Sequence, residues 1–251
     1  RDLSIFLLNS GGGKVQNVGL GAAKIRERRL RVSHDALFSK IEIFKARCRK
    51  CGVCAKDCLF LREYGPPGAI LDRFDPARSQ DWKIAFECSL CNLCQAVCPE
   101  NLDTAGLFLE MRRGAVAEGK VDLSPYAPIS NYEKLGSSPL FSYYGIPSGC
   151  DAVYFPGCAF PGTRPEIAWR TFGYLREHVP RMGVVMDCCA KPSHDLGRQE
   201  HFETVFGKVR RRLQLAGVRN VFVNCPNCYR TFKQYGSGLR VRTVYEFIGE
   251  N

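Results

Sequence analysis

The residues best suited to chemistry in this chain are its cysteines, which number 14 among 251 residues. Eight of them form two matching groups, each spaced Cys-x2-Cys-x2-Cys-x3-Cys. The first group contains Cys48, Cys51, Cys54 and Cys58, and the second contains Cys88, Cys91, Cys94 and Cys98. The sequence shows no signal peptide, and thiolates this close together can converge on one metal centre. The spacing therefore favours metal ligation in a reducing compartment over a disulfide framework.

The two groups have the spacing that a cubane [4Fe–4S] cluster requires. Three cysteines on a tight loop reach three of its irons, and the fourth ligand must come from elsewhere. The groups resemble those of two-cluster ferredoxins, in which the last cysteine of each group binds the other cluster. This crosswise rule predicts one cubane on Cys48, Cys51, Cys54 and Cys98, and a second on Cys88, Cys91, Cys94 and Cys58. Zinc sites built from two Cys-x2-Cys pairs fit the spacing less well.

A third set of cysteines lies in the second half of the chain. It contains Cys150, Cys158, the adjacent pair Cys188 and Cys189, and then Cys225 and Cys228. Adjacent cysteines rarely form a disulfide with each other, because the ring is strained, but both can contact one cluster. A structural zinc ion is the alternative at these residues. A free, thioredoxin-like pair at Cys225 and Cys228 is a further one.

Strands alternate with helices around this third set. The pattern predicts strands at 152–155, 183–186, 221–223 and 240–242, and helices at 165–178 and 199–216, which indicates a parallel α/β sheet. Cysteines follow three of these strands directly, after Phe155, Met186 and Val223. Sites in such sheets form at the carboxyl ends of the strands. The sequence therefore places this third set where a site is expected.

The predicted fold is an α+β chain of two domains. A basic N-terminal segment, 1–43, includes the glycine-rich turn Gly11-Gly12-Gly13-Lys14, which lacks the spacing of a phosphate loop. A mostly helical domain with two [4Fe–4S] clusters, ferredoxin-like, covers 44–120. In it Asp103 is predicted to cap a helix that runs to about Gly119, with Leu107, Met111 and Ala115 on one face. A Pro/Ser-rich extended linker at 121–149 then leads to the α/β parallel-sheet domain, 150–251.

The formal net charge of +11 does not indicate nucleic-acid binding. Each oxidised cubane with its four thiolates carries about −2, so two of them remove roughly four units. The basic runs at 26–31 and 208–212 read as solvated helix faces or docking patches for a protein partner, and no nucleic-acid motif accompanies them. No apolar stretch reaches the roughly 18 residues of a membrane span. We expect a cytoplasmic protein, with docking on a membrane complex left open.

The third set of cysteines also carries a family resemblance. The spacing Cys-x29-Cys-Cys-x35-Cys-x2-Cys resembles the CCG cysteine-rich domain of heterodisulfide reductases, here with Cys-Cys-Ala in place of Cys-Cys-Gly. Together with the ferredoxin-like part, the resemblance covers about residues 44–250. It implies a noncubane [4Fe–4S] cluster that cleaves a disulfide reductively, with the ligands Cys158, Cys188, Cys189, Cys225 and Cys228. Cys150 has no counterpart and is expected to be a buried thiol.

The resemblance implies an oxidoreductase subunit of anaerobic metabolism. Electrons would pass from a flavoprotein, hydrogenase or dehydrogenase partner through the cubanes to a disulfide substrate. Lys191 and His194 could protonate a departing thiolate, with a surface role as the alternative. His34, His178 and His201 are expected on helix surfaces. The sequence contains no Rossmann or flavin fingerprint.

Two other functions stay open at this stage. One is a non-catalytic electron-transfer subunit that links a flavin dehydrogenase or hydrogenase partner to a quinone or ferredoxin pool. The other is a zinc-stabilised docking module beside a working ferredoxin. Heterodisulfide reductases carry two CCG domains where this chain shows one, so a partner is expected to supply the second or the single site works alone.

Overall fold

Short helices surround the two cysteine groups in the first part of the chain. The computed structural model describes residues 35–251, so the predicted turn at 11–14 and His34 lie outside the described residues. The helices of this part are α1 (residues 35–47), α2 (Leu59–Tyr64), α3 (Pro67–Arg73), α4 (Ser79–Lys83), α5 (Leu93–Ala96) and α6 (Thr104–Ala117), with 3-10 turns at Val53–Ala55 and Ile84–Glu87. The prediction of a mostly helical cluster-binding part is confirmed.

Helix α6 is the central element of this part. Asp103 caps it as predicted, since its Oδ1 accepts a hydrogen bond from the Gly106 backbone N–H at 2.9 Å. Leu107, Met111 and Ala115 are fully buried, which confirms their shared inward face. Burial extends around the helix to Phe108 and Leu109, so α6 is enclosed on more than one side and not only along a stripe.

Helix α1 crosses the predicted boundary at residue 43. Leu37, Ile41 and Phe44 lie on it at helical spacing and pack into the same hydrophobic core as α6. The described end of the basic N-terminal segment is therefore packed against the helical part. The division of the chain into domains itself stays a prediction.

Residues 121–149 differ from the extended linker that was predicted. They contain a 3-10 turn at Ser124–Tyr126, helix α7 (Ala127–Gly136) and strand β1 (Tyr143–Gly145). The prediction of extended structure relied on the prolines, but Pro125 and Pro128 occupy first-turn positions of helical segments. There the missing N–H is not needed and the fixed φ suits a helix.

A five-stranded sheet organises the second part of the chain. Its strands are β1, β2 (Ala152–Phe155), β3 (Gly183–Met186), β4 (Asn220–Val223) and β5 (Arg240–Thr243), in the order β1-β3-β2-β4-β5. The pairs among β2 to β5 are parallel, and β1 pairs antiparallel with β3 at the edge. The four predicted strands and their parallel pairing are confirmed, while β1 is an addition that the sequence did not reveal.

Helices cover both faces of this sheet. They are α8 (Ala159–Thr163), α9 (Pro165–His178), α10 (Lys191–Asp195), α11 (Gln199–Leu215), α12 (Pro226–Tyr235) and α13 (Val244–Glu250). Side chains alternate along each strand, so Val153 and Phe155 pack with α11 and α12 while Ala152 and Tyr154 pack with α9 and α13. The result is three layers, with the parallel strands β2 to β5 of the middle layer pointing their carboxyl ends to one edge.

Among the described residues, no helix is both long enough and apolar enough to cross a membrane.

The helical part and the sheet part meet closely at Gly197. This residue has φ +76, and a Cβ added to it would lie 2.5 Å from the carbonyl carbon of Arg112 and 2.7 Å from the nitrogen of Arg113. Only a residue without a side chain allows the loop after α10 to approach the α6 backbone this closely. The two parts therefore form a tight backbone-to-backbone contact.

We expect Gly197→Ala to destabilise the protein by more than about 1 kcal/mol, because strain at positive φ adds to a collision with the α6 backbone. Gly119→Ala is the matched control, since Gly119 also has positive φ (+66) but no atom within 4 Å of an added Cβ. Anaerobic denaturant unfolding of both variants measures the difference. Equal losses would contradict a close contact at Gly197.

Candidate metal centres

The first three cysteines of the first group line a cleft that the second group helps to close. Cys48, Cys51 and Cys54 face this cleft around the 3-10 turn Val53–Ala55, and Cys98 lies on its wall. The cleft therefore brings together the four residues predicted to hold one cubane. Cys94 also touches the cleft, which shows that the two groups lie side by side.

The second group shows the reverse exchange. Among the interactions that act on the Cys88 thiol are the charges of Cys94 and Cys58, so the last cysteine of the first group lies near the second group. The charge of Cys91 likewise acts on the thiol of Cys94, so these two members of the second group lie near each other. The structure thus places Cys58 and Cys98 in the crossed neighbourhoods that the sequence predicted, while the ligand assignment itself stays a prediction.

Burial makes these thiols dependent on a positive charge. Burial raises the pKa of Cys54 to about 11, and burial also raises the pKa of Cys88 to about 11. Thiols with pKa values this high are protonated at neutral pH unless a directly bound cation favours the thiolate. Iron supplies that charge and binds the thiolate form, so the donor set fits an iron–sulfur cluster.

The five cysteines predicted to bind a noncubane cluster meet at the carboxyl edge of the sheet. Cys158 follows β2, the pair Cys188 and Cys189 follows β3, and Cys225 precedes α12 after β4. Hydrogen bonds join Cys158 to Cys188, Cys189 to Cys228, and Cys225 to Cys228. The charge of Cys225 raises the pKa of Cys158, so these two cysteines also lie near each other and all five form one connected group.

These thiols share protons in pairs. A hydrogen bond from Cys228 lowers the pKa of Cys225 to about 5, and a hydrogen bond from Cys188 lowers the pKa of Cys158 to about 7. The bond to Cys158 raises the pKa of Cys188, and the bonds to Cys189 and then to Cys225 raise the pKa of Cys228. One thiolate in each pair is therefore readily available as a metal ligand.

Gly157 allows this close approach. It has φ +85, and an added Cβ would lie 3.2 Å from both the Cys225 Cβ and the Cys228 Sγ. A larger residue here would push the β2 loop away from the β4 loop. The sequence signal was the Pro-Gly-Cys run after β2, although the need for glycine shows only in the structure.

Helix α7 covers one side of the five cysteines. The Tyr132 hydroxyl hydrogen-bonds with Cys158, and a Cβ added to Gly136 would lie 3.6 Å from the Cys158 Cβ and 3.8 Å from the Cys188 Cβ. No sequence pattern pointed to these residues, because the segment was assigned to a linker. The covering helix makes 121–149 part of the site.

A buried carboxylate holds α7 in this position. Glu133 is 1% exposed, and it accepts hydrogen bonds from the Ser193 backbone N–H at 2.7 Å and from the Ser193 hydroxyl at 2.5 Å. His201 on α11 lies 3.2 Å from the same carboxylate. Glu133 therefore ties α7 to α10, just beyond the adjacent cysteines.

Lys191 and His194 are buried, so the surface alternative for them is wrong. Lys191 forms an ion pair with Asp195, and its charge is among the smaller influences that lower the pKa of Cys225. His194 hydrogen-bonds Asp195 through Nδ1 and the Tyr235 hydroxyl through Nε2, each at 2.8 Å. Burial lowers the pKa of His194, which keeps the ring neutral. Lys191 thus lies nearer the cysteines, and His194 lies behind it.

The remaining residues occupy other places. Cys150 is buried before β2, at the opposite end of the strand from Cys158, and its thiol donates to the Ala152 carbonyl at 2.9 Å. His178 is exposed as predicted, whereas His201 is half-buried against Glu133. Cys150 therefore belongs to the core and not to the site.

No three Cys, His, Asp or Glu side chains within residues 35–251 converge closely enough to hold a single metal ion. Ligands of one zinc ion must all approach the same point, whereas the ligands of a cluster bind different irons.

Comparison with known proteins supports the iron–sulfur interpretation. Residues 47–103 match the family model described as a 4Fe-4S dicluster domain. This domain implies two [4Fe–4S] clusters, and it coincides with the helical part that holds both cysteine groups.

Most of the chain also has distant relatives. It is 25% identical over 232 residues to one subunit of the fumarate reductase (CoM/CoB) of Methanothermobacter marburgensis, a match that covers 81% of this chain and 47% of that protein. It is 23% identical over 233 residues to one subunit of the dihydromethanophenazine:CoB–CoM heterodisulfide reductase of Methanosarcina barkeri, covering 74% and 56%. The uncharacterized electron transport protein YkgF of Escherichia coli is 26% identical over 117 residues, covering 43% and 25%.

These matches describe an iron–sulfur electron-transfer protein that is distantly homologous to heterodisulfide reductase subunits over most of its length. The chain spans about half the length of the first two relatives. No solved structure matches it significantly.

We expect Glu133→Ala to lower the free energy of unfolding by about 1–3 kcal/mol, because the buried donors on Ser193 lose their acceptor. Glu133→Gln keeps one carbonyl oxygen and should lose less. Lys134→Ala, at an exposed neighbour on the same helix, should change stability by less than about 0.5 kcal/mol. Denaturant unfolding under anaerobic conditions measures the three losses of stability. An unchanged free energy of unfolding in Glu133→Ala would contradict the anchoring role.

Proposed function

We propose that the chain is the iron–sulfur subunit of a heterodisulfide-reductase-like oxidoreductase. In this proposal two cubane clusters relay electrons to a noncubane [4Fe–4S] cluster, where a disulfide is reduced. The observation that supports it best is the meeting of five cysteines from three strand ends at one edge of the sheet. That edge lies beside a dicluster domain, so donor and acceptor sites occur in one chain.

The neighbourhoods of the cysteines support the ligands that the sequence predicts. One cubane is assigned to Cys48, Cys51, Cys54 and Cys98, and the other to Cys88, Cys91, Cys94 and Cys58. The noncubane cluster is assigned to the five connected cysteines, Cys158, Cys188, Cys189, Cys225 and Cys228.

The overall reaction consumes two electrons and two protons for each disulfide and releases two thiols. When bound, the noncubane cluster would supply the electrons one at a time and an iron able to bind sulfur. Lys191 places a positive charge near Cys225, which stabilises negative charge as it develops on a substrate sulfur. The Lys191–Asp195 ion pair holds that ammonium in place, and the neutral His194 supports Asp195 from behind.

A second candidate is a non-catalytic relay, and the burial of the cysteines favours it. Cys188, Cys189 and Cys228 are buried, and α7 covers the side of Cys158 and Cys188. A substrate would have to enter beside Cys158 or Cys225, the two half-buried members. In the relay, electrons would continue to a quinone or ferredoxin pool through a partner.

The partners in either case are protein subunits of a redox complex. A flavoprotein, hydrogenase or dehydrogenase would donate the electrons, since the sequence shows no nucleotide-binding fingerprint. We place the complex in the cytoplasm, where the exposed basic residues of α11 offer a docking face for an acidic partner.

The iron content should separate the cluster from zinc at the sheet edge. We expect about 12 irons per chain in the anaerobically isolated protein, because each of three clusters holds four. Cys158→Ser should reduce the content to about 8, whereas Cys150→Ser, at a cysteine outside the site, should leave it unchanged. About 8 irons together with zinc in the unaltered protein would contradict the noncubane assignment.

Electron paramagnetic resonance should separate catalysis from relay. A cluster that binds a substrate sulfur should change its signal when the oxidised protein is mixed with a thiol, and the two cubane signals should not change. Lys191→Gln should weaken this thiol-dependent change, because it removes the positive charge near Cys225. If thiols alter no signal, the relay is the correct function.

A further inference from the structure

Arg112 is a buried cation in the middle of α6. Its side chain is surrounded by the helical core and is 6% exposed. The guanidinium lies over the Phe86 ring, 5.2 Å from the centroid. It donates three hydrogen bonds, all to main-chain carbonyl oxygens: to Ala85 at 2.9 Å, to Asp195 at 2.6 Å, and to Cys88. Neither the sequence patterns nor the proposed reaction assigns a role to this residue.

The three carbonyl acceptors satisfy the donors of Arg112 but do not neutralise its charge. A buried charge is costly unless an opposite charge lies nearby. The hydrogen bond to the Cys88 carbonyl holds the guanidinium next to a cysteine that is assigned to a cubane. An oxidised cubane with its thiolates carries about −2 and becomes more negative on reduction. A cubane bound at Cys88 would therefore provide the opposite charge that Arg112 needs.

The same residue connects two loops that belong to different sites. One loop carries Cys88, and the other ends α10, the helix that begins at Lys191 just after the adjacent cysteines. A second link runs parallel to it, since both terminal nitrogens of Arg230 lie 3.4 Å from the Leu90 carbonyl oxygen. The loop of the second cysteine group is thus attached to the sheet part at two points.

The first cysteine group lies elsewhere. The cleft that holds Cys48, Cys51, Cys54 and Cys98 is lined by residues between Phe44 and Thr104, all in the helical part. By contrast, a cavity of about 210 Å³ separates Leu90 and Asn92 from Lys191 and Arg230 of the sheet part. The loop of the second group therefore faces α10 and α12, the two helices that begin beside the adjacent cysteines and at Cys225.

We propose that Arg112 is a positioning residue that seats the cubane of Cys88, Cys91, Cys94 and Cys58 against the sheet part and raises its reduction potential. This second cubane is then the immediate electron partner of the C-terminal cysteine site. With all three clusters bound, one electron would pass from the reduced second cubane to the C-terminal cluster, and the first cubane would then reduce the second again. The order of transfer rests on the proposed function, whereas the effect on potential requires only the two cubanes.

The first test is a redox titration followed by electron paramagnetic resonance. Arg112→Gln removes the charge, so the midpoint potential of one cubane should become more negative while that of the other stays unchanged. Arg113→Gln is the matched control on the same helix and at the same interface, because Arg113 pairs with Glu110 at 2.7 Å and donates to neither Cys88 nor Ala85 in the bonds described. Potentials unchanged in Arg112→Gln, or shifted equally in both variants, would overturn the proposal.

Arg112→Lys covers the case in which the glutamine variant fails to assemble its clusters. Lysine keeps the charge but cannot donate to three carbonyls in a fixed fork. We expect clusters to assemble and the potential of the same cubane to shift less than in Arg112→Gln. Two results in the lysine variant would indicate a merely structural role and overturn the proposal. One is a shift in the midpoint potential of the other cubane, and the other is a loss of unfolding stability with both midpoint potentials unchanged.

The unaltered protein provides an independent test of the order. When a cubane and the C-terminal cluster are both paramagnetic, their spins interact and broaden the cubane signal. We expect this broadening in the signal of the second cubane. Cys51→Ser and Cys91→Ser identify the two cubane signals, because these exposed cysteines occupy equivalent positions in the two groups. Broadening of the signal that Cys51→Ser changes would overturn the proposal. If the C-terminal cluster gives no signal at all, the proposed function fails and the potential shift still decides the role of Arg112.

Discussion

The parallel alignment of β2, β3 and β4 is the constraint on which the C-terminal site depends. Parallel strands end at the same edge, so three loops that are far apart in the sequence meet in space. Each of these loops carries a cysteine close to the end of its strand. Gly157 then lets the β2 and β4 loops approach closely enough for five thiols to form one connected group. The sheet therefore acts as the frame of the five-cysteine site, with the core beneath it supplying rigidity.

A second constraint is the fit between α6 and the loop after α10. Gly197 allows backbone contact, and Arg112 and Arg113 reach across the same interface to Asp195 and Tyr235. The distance between the helical cluster-binding part and the sheet part is thereby fixed by packed backbone rather than by a flexible connection. Electron transfer falls steeply with separation, so the proposed transfer between the two parts would require such a rigid interface.

Much of this structure could be predicted from the sequence, because the signals were local. The strands at 152–155 and 183–186 and the helix at 165–178 appear at the predicted residues, since hydrophobic periodicity and cysteine spacing act over short intervals. The segment 121–149 could not be read in this way. Its prolines suggested extended chain, but Pro128 lies in the first turn of a helix. That helix is held in place by long-range contacts of Tyr132 and Glu133. The burial of Lys191 and the role of Gly197 likewise arise only when distant segments pack together.

The central claim is that one chain holds three iron–sulfur clusters, two in the helical part and one at the carboxyl edge of the sheet. Anomalous diffraction at the iron absorption edge, on crystals grown without oxygen, tests it most directly. We expect three separate iron peaks, with the third among Cys158, Cys189 and Cys225 and the second nearer to it than the first. Two iron peaks only, with a zinc peak or no peak at the sheet edge, would contradict the account.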